Sequence, residues 1–236
     1  MRTRMNRQVA RAITAALDRL PALELFVNSR ADTRRLHTKL VQARRQGIRI
    51  QTVFDIGAHR GEWTRRARAT LTDAEFILFE ANEVHAPSLE GERFYIGVLS
   101  SAQKLVQFYG KGEVGDSYFR ETTGLYDGVT AHAVQATTLD QLIQEHGLPR
   151  PDLIKADVQG AELDVLRGGG NALDHARLVL LECPIVEYNE GAPTIHEYFR
   201  FMDEHGFTPI DVVEWHRRGG RALQLDVLFG DIAASW

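Results

Sequence analysis

Short apolar runs, each ending at an acid or a turn residue, recur along the chain and predict β-strands. The runs hold too few polar positions for half-exposed strands, and strands of this kind belong in a parallel sheet covered on both faces. Five such strands are predicted, at residues 52–57, 75–80, 93–99, 152–157 and 177–182.

Segments with helical spacing separate these strands. Helices are predicted at residues 61–70, at 138–146 behind a Thr138 cap, at 161–168 before a glycine run, and at 195–205 before Gly206. Two last strands, 207–215 and 222–229, flank a glycine turn. The pattern predicts an α/β fold: a doubly wound, Rossmann-like, seven-stranded and mostly parallel sheet that ends in an antiparallel hairpin, with a helical N-terminal extension.

Residues 104–137 interrupt this alternation because they are polar, rich in glycine and only briefly alternating. We interpret them as strands and loops outside the main sheet. Ligands of open α/β sheets bind at the carboxyl ends of the strands, so an insertion that leaves strand three there would overhang the pocket as a lid. The alternative is a loop that covers an exposed sheet edge.

The N-terminal part is basic, whereas the rest is acidic. Residues 1–49 contain 12 Lys and Arg against 3 Asp and Glu, and residues 50–236 contain 16 against 29. Apolar residues recur at helical spacing, first at Val9, Ile13, Leu17 and Leu20, and again at Leu36, Leu40 and Val41. We therefore divide the chain into a basic helical extension, 1–49, and a main domain, 50–236.

Three roles for this extension stay open. Its apolar faces could dock on the main domain or on a second subunit, which would make a homo-oligomer. Its arginines could instead bind an anionic membrane surface or a lipid-linked glycan, or the segment could be an organellar transit peptide. We expect a soluble protein without a signal peptide, cytoplasmic or peripheral on the inner membrane surface. The single cysteine, Cys183, agrees with a reducing compartment.

The chemistry is concentrated where the first two strands end. The first runs into Asp55-Ile56-Gly57-Ala58-His59-Arg60-Gly61, and the second ends at Glu80. Strand, glycine turn, helix, strand and acid is how α/β sheets bind adenosine-containing cofactors, because the acid can accept hydrogen bonds from ribose hydroxyls. A dinucleotide is disfavoured, since His59 and Glu62 stand where the G-x-G-x-x-G turn needs glycine. Asp55 suits a cationic cofactor, which favours S-adenosylmethionine.

Four segments together resemble the FkbM-type methyltransferase family over about residues 50–230. They are Asp55-x-Gly57-Ala58-x-x-Gly61, Phe79-Glu80-Ala81-Asn82, Thr138-Leu139-Asp140 and Lys155-x-Asp157-Val158-Gln159-Gly160-Ala161-Glu162-x-x-Val165-Leu166-x-Gly168. The resemblance implies an S-adenosylmethionine-dependent O-methyltransferase that acts on hydroxyls of sugars or secondary metabolites. His59 departs from the usual Asn, Ala81 departs from the usual Pro, and Gln159 is one of two residues common at its position.

The motifs and the strand ends supply the candidate site residues. Asp157 is the first choice for a base or acceptor anchor, although a contact with the cofactor amino group is an equal alternative. Lys155 shares its strand face with Asp157, where an ion pair is the simpler interpretation, and Glu182 could meet the acceptor. Candidate cofactor-binding residues are Asp55, Gly57, Ala58, His59, Gly61, Glu80, Ala81, Leu99, Ser100, Asp157 and Gln159.

The acceptor is expected to be a small molecule or a glycan. Sugar contacts could come from Tyr118, Tyr126, Glu187, Tyr188 and Trp215. The histidines and acids show no metal-ligand spacing, so turnover is expected to resist EDTA. Alternatives are a nicotinamide-dependent oxidoreductase, a nucleic-acid methyltransferase, disfavoured by the acidic main domain, an inactive cofactor-binding subunit, and a methyltransferase for a lipid, peptide or polyketide hydroxyl.

Overall fold

A seven-stranded sheet organises the chain. The computed structural model describes residues 35–113, 115–218 and 221–231. The strands of the main sheet lie in the order β3-β2-β1-β6-β7-β9-β8, and the first five are parallel. They are β1 (Thr52–Ile56), β2 (Glu75–Glu80), β3 (Arg93–Ile96), β6 (Leu153–Ala156), β7 (Leu178–Pro184), β8 (Phe207–Arg218) and β9 (Arg221–Asp231). Strands β9 and β8 form the predicted antiparallel hairpin, and the fold class is confirmed.

Helices cover both faces of this sheet, so each face has its own core. Successive residues of β1 serve opposite cores: Phe54 and Ile56 belong to one, and Val53 belongs to the other. The helices are α1 (residues 35–45), α2 (Glu62–Arg68), α3 (Leu139–His146), α4 (Glu162–Arg167), α5 (Gly170–His175) and α6 (Ile195–Glu204), with a 3₁₀ helix at Glu83–Leu89.

Local signals in the sequence explain several helix ends. The Thr138 side chain accepts a hydrogen bond from the Gln141 amide at the start of α3, as predicted for an N-cap. Gly147 ends that helix with a φ of 56°, in the left-handed region that glycine adopts readily. At α6, the Glu197 carboxylate accepts from the Thr194 amide at 2.7 Å.

One expectation about the sheet was wrong, and one helix was not predicted. Strand β3 ends at Ile96 instead of residue 99, and its side chains are exposed or half-buried because β3 is the edge strand. Helix α4 ends at Arg167 with Gly168 as its C-cap, as predicted from the glycine run. A further helix that was not predicted, α5, begins within that run at Gly170. Gly168 has a packing reason: a Cβ there would lie 2.1 Å from the Ser100 carbonyl oxygen.

The insertion forms the predicted structure outside the main sheet. Strands β4 (Lys104–Phe108) and β5 (His132–Ala136) make a separate antiparallel pair. Their buried side chains form a small core with Val98 and Ala81, which lie at the ends of β3 and β2. The insertion is therefore anchored at the edge of the sheet where the parallel strands end.

Helix α1 packs on the main domain. Its Leu40 and Ala43 are fully buried in the same core as Val53, Leu78 and Leu180. The basic face of α1 contacts acids of the domain, with Lys39 3.2 Å from Asp211. The first predicted helix, around residues 9–20, lies outside the described residues, and membrane binding by the extension stays a prediction. Within the described residues, no helix has the length and apolar character needed to cross a bilayer.

Candidate active site

A cleft lies at the carboxyl ends of β1, β2 and β6, under the insertion. It encloses about 710 Å³ including the part open to solvent, which is within the usual range of small-molecule sites. Three groups of residues line it: the strand-end loops, the 3₁₀ helix and the insertion. They include Gly57, His59, Glu80, Ala81, His85, Leu99, Phe108, Asp116, Ser117, Tyr118, Asp157 and Gln159.

Glu80 closes β2 with its carboxylate held in a fixed orientation. One oxygen accepts from the His59 amide at 2.6 Å, and the other accepts from the Asn82 amide at 2.8 Å. Glu80 is only 7% exposed, and it lines the cleft. A carboxylate has about four acceptor positions, so each oxygen keeps one for a ligand. This geometry suits two neighbouring hydroxyl groups, as on a ribose.

Gly57 brings two loops together. Its φ is 73°, and a Cβ there would lie 1.8 Å from the carbonyl oxygen of Asp157. Any side chain would therefore push the loop after β1 away from the loop after β6. The glycine is needed for contact between the loops, in addition to any approach of the backbone to a ligand.

A buried ion pair between Lys155 and Asp55, neither of which lines the cleft, lies beneath these loops and holds the Gly57 carbonyl. Lys155 lies 3.1 Å from Asp55, and its ammonium group also donates to the Gly57 carbonyl at 2.9 Å. The hydroxyl of Thr64 donates to the other oxygen of Asp55 at 2.7 Å. Burial alone would lower the pKa of Lys155, but Asp55 and Asp157 raise it above its ordinary value, so the ammonium stays charged.

Gln159 connects the two other predicted carboxyl groups. Its backbone is left-handed, with a φ of 54°, and its amide donates to Asp157 at 2.9 Å and to Glu182 at 2.7 Å. Gln224 donates to the second oxygen of Glu182. Burial, followed by the charges of Asp157 and Asp226, raises the pKa of Glu182 well above its usual range. Glu182 is therefore held by amide donors on both of its oxygens.

The predicted site residues divide between the cleft wall and its supports. Those that line the cleft are Gly57, His59, Glu80, Ala81, Leu99, Asp157 and Gln159; Asp55, Ala58, Gly61, Ser100, Lys155 and Glu182 do not. Ala58 is buried in the core, and Gly61, with a φ of 75°, precedes α2. Ser100 is fully buried, and its amide donates to the Thr137 carbonyl.

Several residues of the cleft were not predicted from the sequence. His85 comes from the 3₁₀ helix, and its ring centroid lies 4.1 Å from that of His59. Burial, then the neighbouring His59, lowers the pKa of His85, so the ring is neutral near pH 7. Phe108, Asp116 and Ser117 come from the insertion. No spacing in the sequence links these residues to the strand ends. The glycine-rich composition of residues 104–137 was the only sequence feature that pointed to the insertion as part of the cleft.

The five proposed sugar contacts lie in different environments. Tyr118 lines the cleft, and its hydroxyl donates to Asp164 at 3.2 Å. The hydroxyls of Tyr126 and Tyr188 bond to Asp116 and Gln224 inside the protein. Glu187 accepts from the Gly191 amide in the loop after β7. Trp215 is exposed on β8, away from the cleft, with Arg217 over its ring.

One set of acids and histidine in the described part of the chain is close enough to consider as metal ligands. Glu182, His216 and Asp226 offer ligand atoms within 4.8 Å of one another. Burial opposes a charge on His216, but the hydrogen bond to Asp226 at 3.2 Å and the nearby Glu214 raise its pKa to about 9. A protonated imidazole donates to carboxylates, so at this pKa His216 forms an ion pair with Asp226 near pH 7.

This ion pair predicts a specific pH dependence of stability. The folded pKa of His216, about 9, exceeds the ordinary value of 6.5. The stabilisation is therefore complete below pH 6.5, and it is lost as the pH rises through 9. Urea unfolding of wild type and His216→Gln at intervals from pH 6 to 10 would measure it. We expect the free-energy gap between the two proteins to shrink as the pH rises, while the exposed His196→Gln follows wild type. A constant gap would contradict the assignment.

Comparison with known proteins identifies the family to which this chain belongs. The family described as "Methyltransferase FkbM domain" matches residues 55–209, more than half of the chain. The 2-O-methyltransferase NoeI of Sinorhizobium fredii is 27% identical over 159 residues, which cover 59% of this chain and 65% of that protein. The hexuronic acid methyltransferase AglP of Haloferax volcanii is 42% identical over 43 residues, 18% of each protein. The chain thus spans less than two thirds of the length of either relative.

Two solved structures of methyltransferases are similar to this chain at low identity. An FkbM methyltransferase of Methylobacillus flagellatus has a TM-score of 0.49 at 13% identity, covering 76% of this chain and 43% of that one. The magnesium protoporphyrin IX methyltransferase of Synechocystis has a TM-score of 0.48 at 12% identity, covering 88% and 81%. The match over residues 55–209 shows the family. The chain belongs to the FkbM methyltransferase family, whose cofactor is S-adenosylmethionine.

Proposed function

We propose that the protein transfers a methyl group from S-adenosylmethionine to a hydroxyl group of a saccharide or glycosylated metabolite. The observation that carries this proposal is the pairing, in one cleft, of the oriented Glu80 carboxylate with the Asp157 carboxylate. The names of two relatives support this proposal: the 2-O-methyltransferase indicates an oxygen acceptor, and the hexuronic acid methyltransferase indicates a sugar acid. Nicotinamide-dependent chemistry is not retained, because the family is one of methyltransferases.

The residues of the cleft fit this cofactor from end to end. The two unused acceptor positions of Glu80 suit the ribose hydroxyls. Leu99, Phe108 and Tyr118 give an apolar wall for the adenine. His59 has a buried ring nitrogen without a hydrogen-bond partner among the described residues, which a polar ligand atom would satisfy. When bound, the cofactor supplies a methyl group on a positively charged sulfur, and Asp157 favours positive charge at that end of the cleft.

Asp157 is the residue to which we assign the acceptor proton. Its side chain is 39% exposed, and it lines the cleft. Gln159 holds one carboxylate oxygen, and Lys155 lies 3.6 Å from the other. The carboxylate can therefore orient the hydroxyl and accept its proton as the oxygen–carbon bond forms. Both oxygens of Glu182 accept from side-chain amides, one of them that of Gln159, so we assign Glu182 the role of fixing Gln159.

Replacing Glu80 tests the cofactor end of the cleft. In Glu80→Ala the ribose hydroxyls lose a charged acceptor, and the amides of His59 and Asn82 lose theirs. We expect the Kd for S-adenosylhomocysteine to rise about ten- to hundredfold, because charged hydrogen bonds contribute roughly 1.5–3 kcal/mol. Calorimetric titration would measure the change. An exposed acid replaced in the same way, Glu204→Ala, serves as the control, and equal affinities in all three proteins would contradict the role of Glu80.

A labelling experiment tests the reaction itself. Purified protein would be incubated with methyl-labelled S-adenosylmethionine and a glycan extract of its own cell, and the labelled product would be identified by mass spectrometry. We expect a methyl ether on a carbohydrate. Label on a lipid, peptide or polyketide hydroxyl would support the methyltransferase activity but contradict the proposed acceptor class. Protein that is folded but retains neither the cofactor nor its demethylated product would overturn the proposal.

A further inference from the structure

Asp116 is a centre of hydrogen bonds within the insertion. Its carboxylate accepts from the Asn82 amide group at 2.6 Å, the Tyr126 hydroxyl at 2.8 Å, and the backbone amides of Lys111 and Gly112, both at 3.0 Å. Burial, together with the bond to Asp116, raises the pKa of Tyr126, so its phenol stays protonated and donates. Four donors on one carboxylate fix it firmly in place.

Asn82 connects this carboxylate to the cofactor end of the cleft. Its backbone amide donates to Glu80, and its side-chain amide donates to Asp116. The side-chain oxygen of Asn82 accepts from the Val84 amide and caps the 3₁₀ helix. The backbone N–H, the side-chain NH₂ and the side-chain oxygen of Asn82 each have a hydrogen-bond partner, which fixes its orientation. A ligand that restrains Glu80 must also restrain Asn82 and, through it, Asp116.

The residues that follow Asp116 cross the other two strand-end loops. The Ser117 hydroxyl donates to the Gln159 carbonyl at 2.9 Å, and Ser117 is buried. The Thr122 amide donates to the Tyr188 carbonyl at 2.8 Å in the loop after β7. We call residues 116–122 the strap. It contacts the loops after β2, β6 and β7 in turn, and its first three residues line the same cleft as Asp157.

We propose that Asp116 is a positioning residue that couples cofactor binding at Glu80 to the seating of the strap over the acceptor end of the cleft. The inference rests on the proposed function, since it needs a ligand on Glu80. Cofactor hydroxyls restrain the segment from Glu80 to Asn82, Asn82 holds Asp116, and Asp116 sets where Ser117 meets Gln159. Once the cofactor is bound, the strap is therefore already in place when the acceptor binds.

Hydrogen exchange with S-adenosylhomocysteine tests this coupling. In wild type we expect the ligand to slow amide exchange in residues 117–122 by about tenfold or more. Asp116→Asn keeps the shape, but it loses the charge and presents an NH₂ group to donors. We expect this variant to bind the ligand within about tenfold of wild type, yet to show less than about twofold slowing in the strap. With acceptor, its KM should rise more than its kcat falls.

Two further variants make the result interpretable. Asp127→Asn changes an exposed acid of the same insertion, and it should keep the wild-type response. Tyr126→Phe removes one of the four donors to Asp116, so it should weaken the slowing by about threefold even if Asp116→Asn fails to fold. If wild type binds the ligand without slowing the strap, or Asp116→Asn keeps full slowing, the coupling is wrong and the proposed function stands. Wild type that binds no ligand would end both.

Discussion

Asp157→Asn is expected to lower kcat by roughly 10²–10³ while the Kd for S-adenosylhomocysteine changes by less than about threefold. Asparagine has the same shape, and its oxygen can still accept from Gln159. It cannot take up the hydroxyl proton, and it removes the negative charge beside Lys155. Steady-state kinetics with the acceptor found by labelling, together with calorimetric titration of the product cofactor, would separate the two quantities.

The control for this variant is Asp203→Asn, which changes an exposed acid on α6 and should behave as wild type. If Asp157→Asn keeps a wild-type kcat but binds S-adenosylhomocysteine at least tenfold more weakly, Asp157 contacts the cofactor amino group. That was the alternative left open by the sequence. A wild-type kcat with unchanged affinity would exclude both roles for Asp157.

Gly57→Ala is expected to destabilise the protein by about 2–5 kcal/mol. The left-handed backbone costs an L-residue roughly 1–2 kcal/mol, and forcing the loops apart adds about 1–3 kcal/mol. The matched control is Gly191→Ala, since Gly191 has a φ of 75° and open space where its Cβ would go. Unfolding in urea of both variants would give the difference, which isolates the contact with Asp157. Equal losses in the two variants would show that the loops tolerate the methyl group.

The sequence predicts the cofactor end of the cleft because that end is built from strand termini. Parallel strands finish at one edge, so acids and glycines that close apolar runs, such as Glu80 and Gly57, must lie near one another. The same rule does not say which neighbour faces the cleft. Lys155 and Asp157 are two residues apart, yet β6 ends at Ala156, so Lys155 is buried under the loops and Asp157 reaches the cleft.

The acceptor end could not be predicted in the same way, because it depends on contacts between distant segments. Asp116 meets Asn82 across 34 positions of sequence, and Ser117 meets Gln159 across 42. The spacing of hydrophobic residues does not predict such contacts, because they join irregular segments through polar side chains. The edge position of β3 is of the same kind, because its apolar residues look internal until the neighbouring strands are known.

The burial of α1 affects how this protein can be shortened. The change of charge near residue 50 suggests a natural place to cut, but Leu40 and Ala43 fill the core beside Leu78 and Leu180. A chain that starts at residue 50 would leave an apolar face of the sheet open to water, and it should aggregate on expression. We therefore expect the smallest independently folding unit to include residues from about 35 onward, because the basic helix α1 is part of the core.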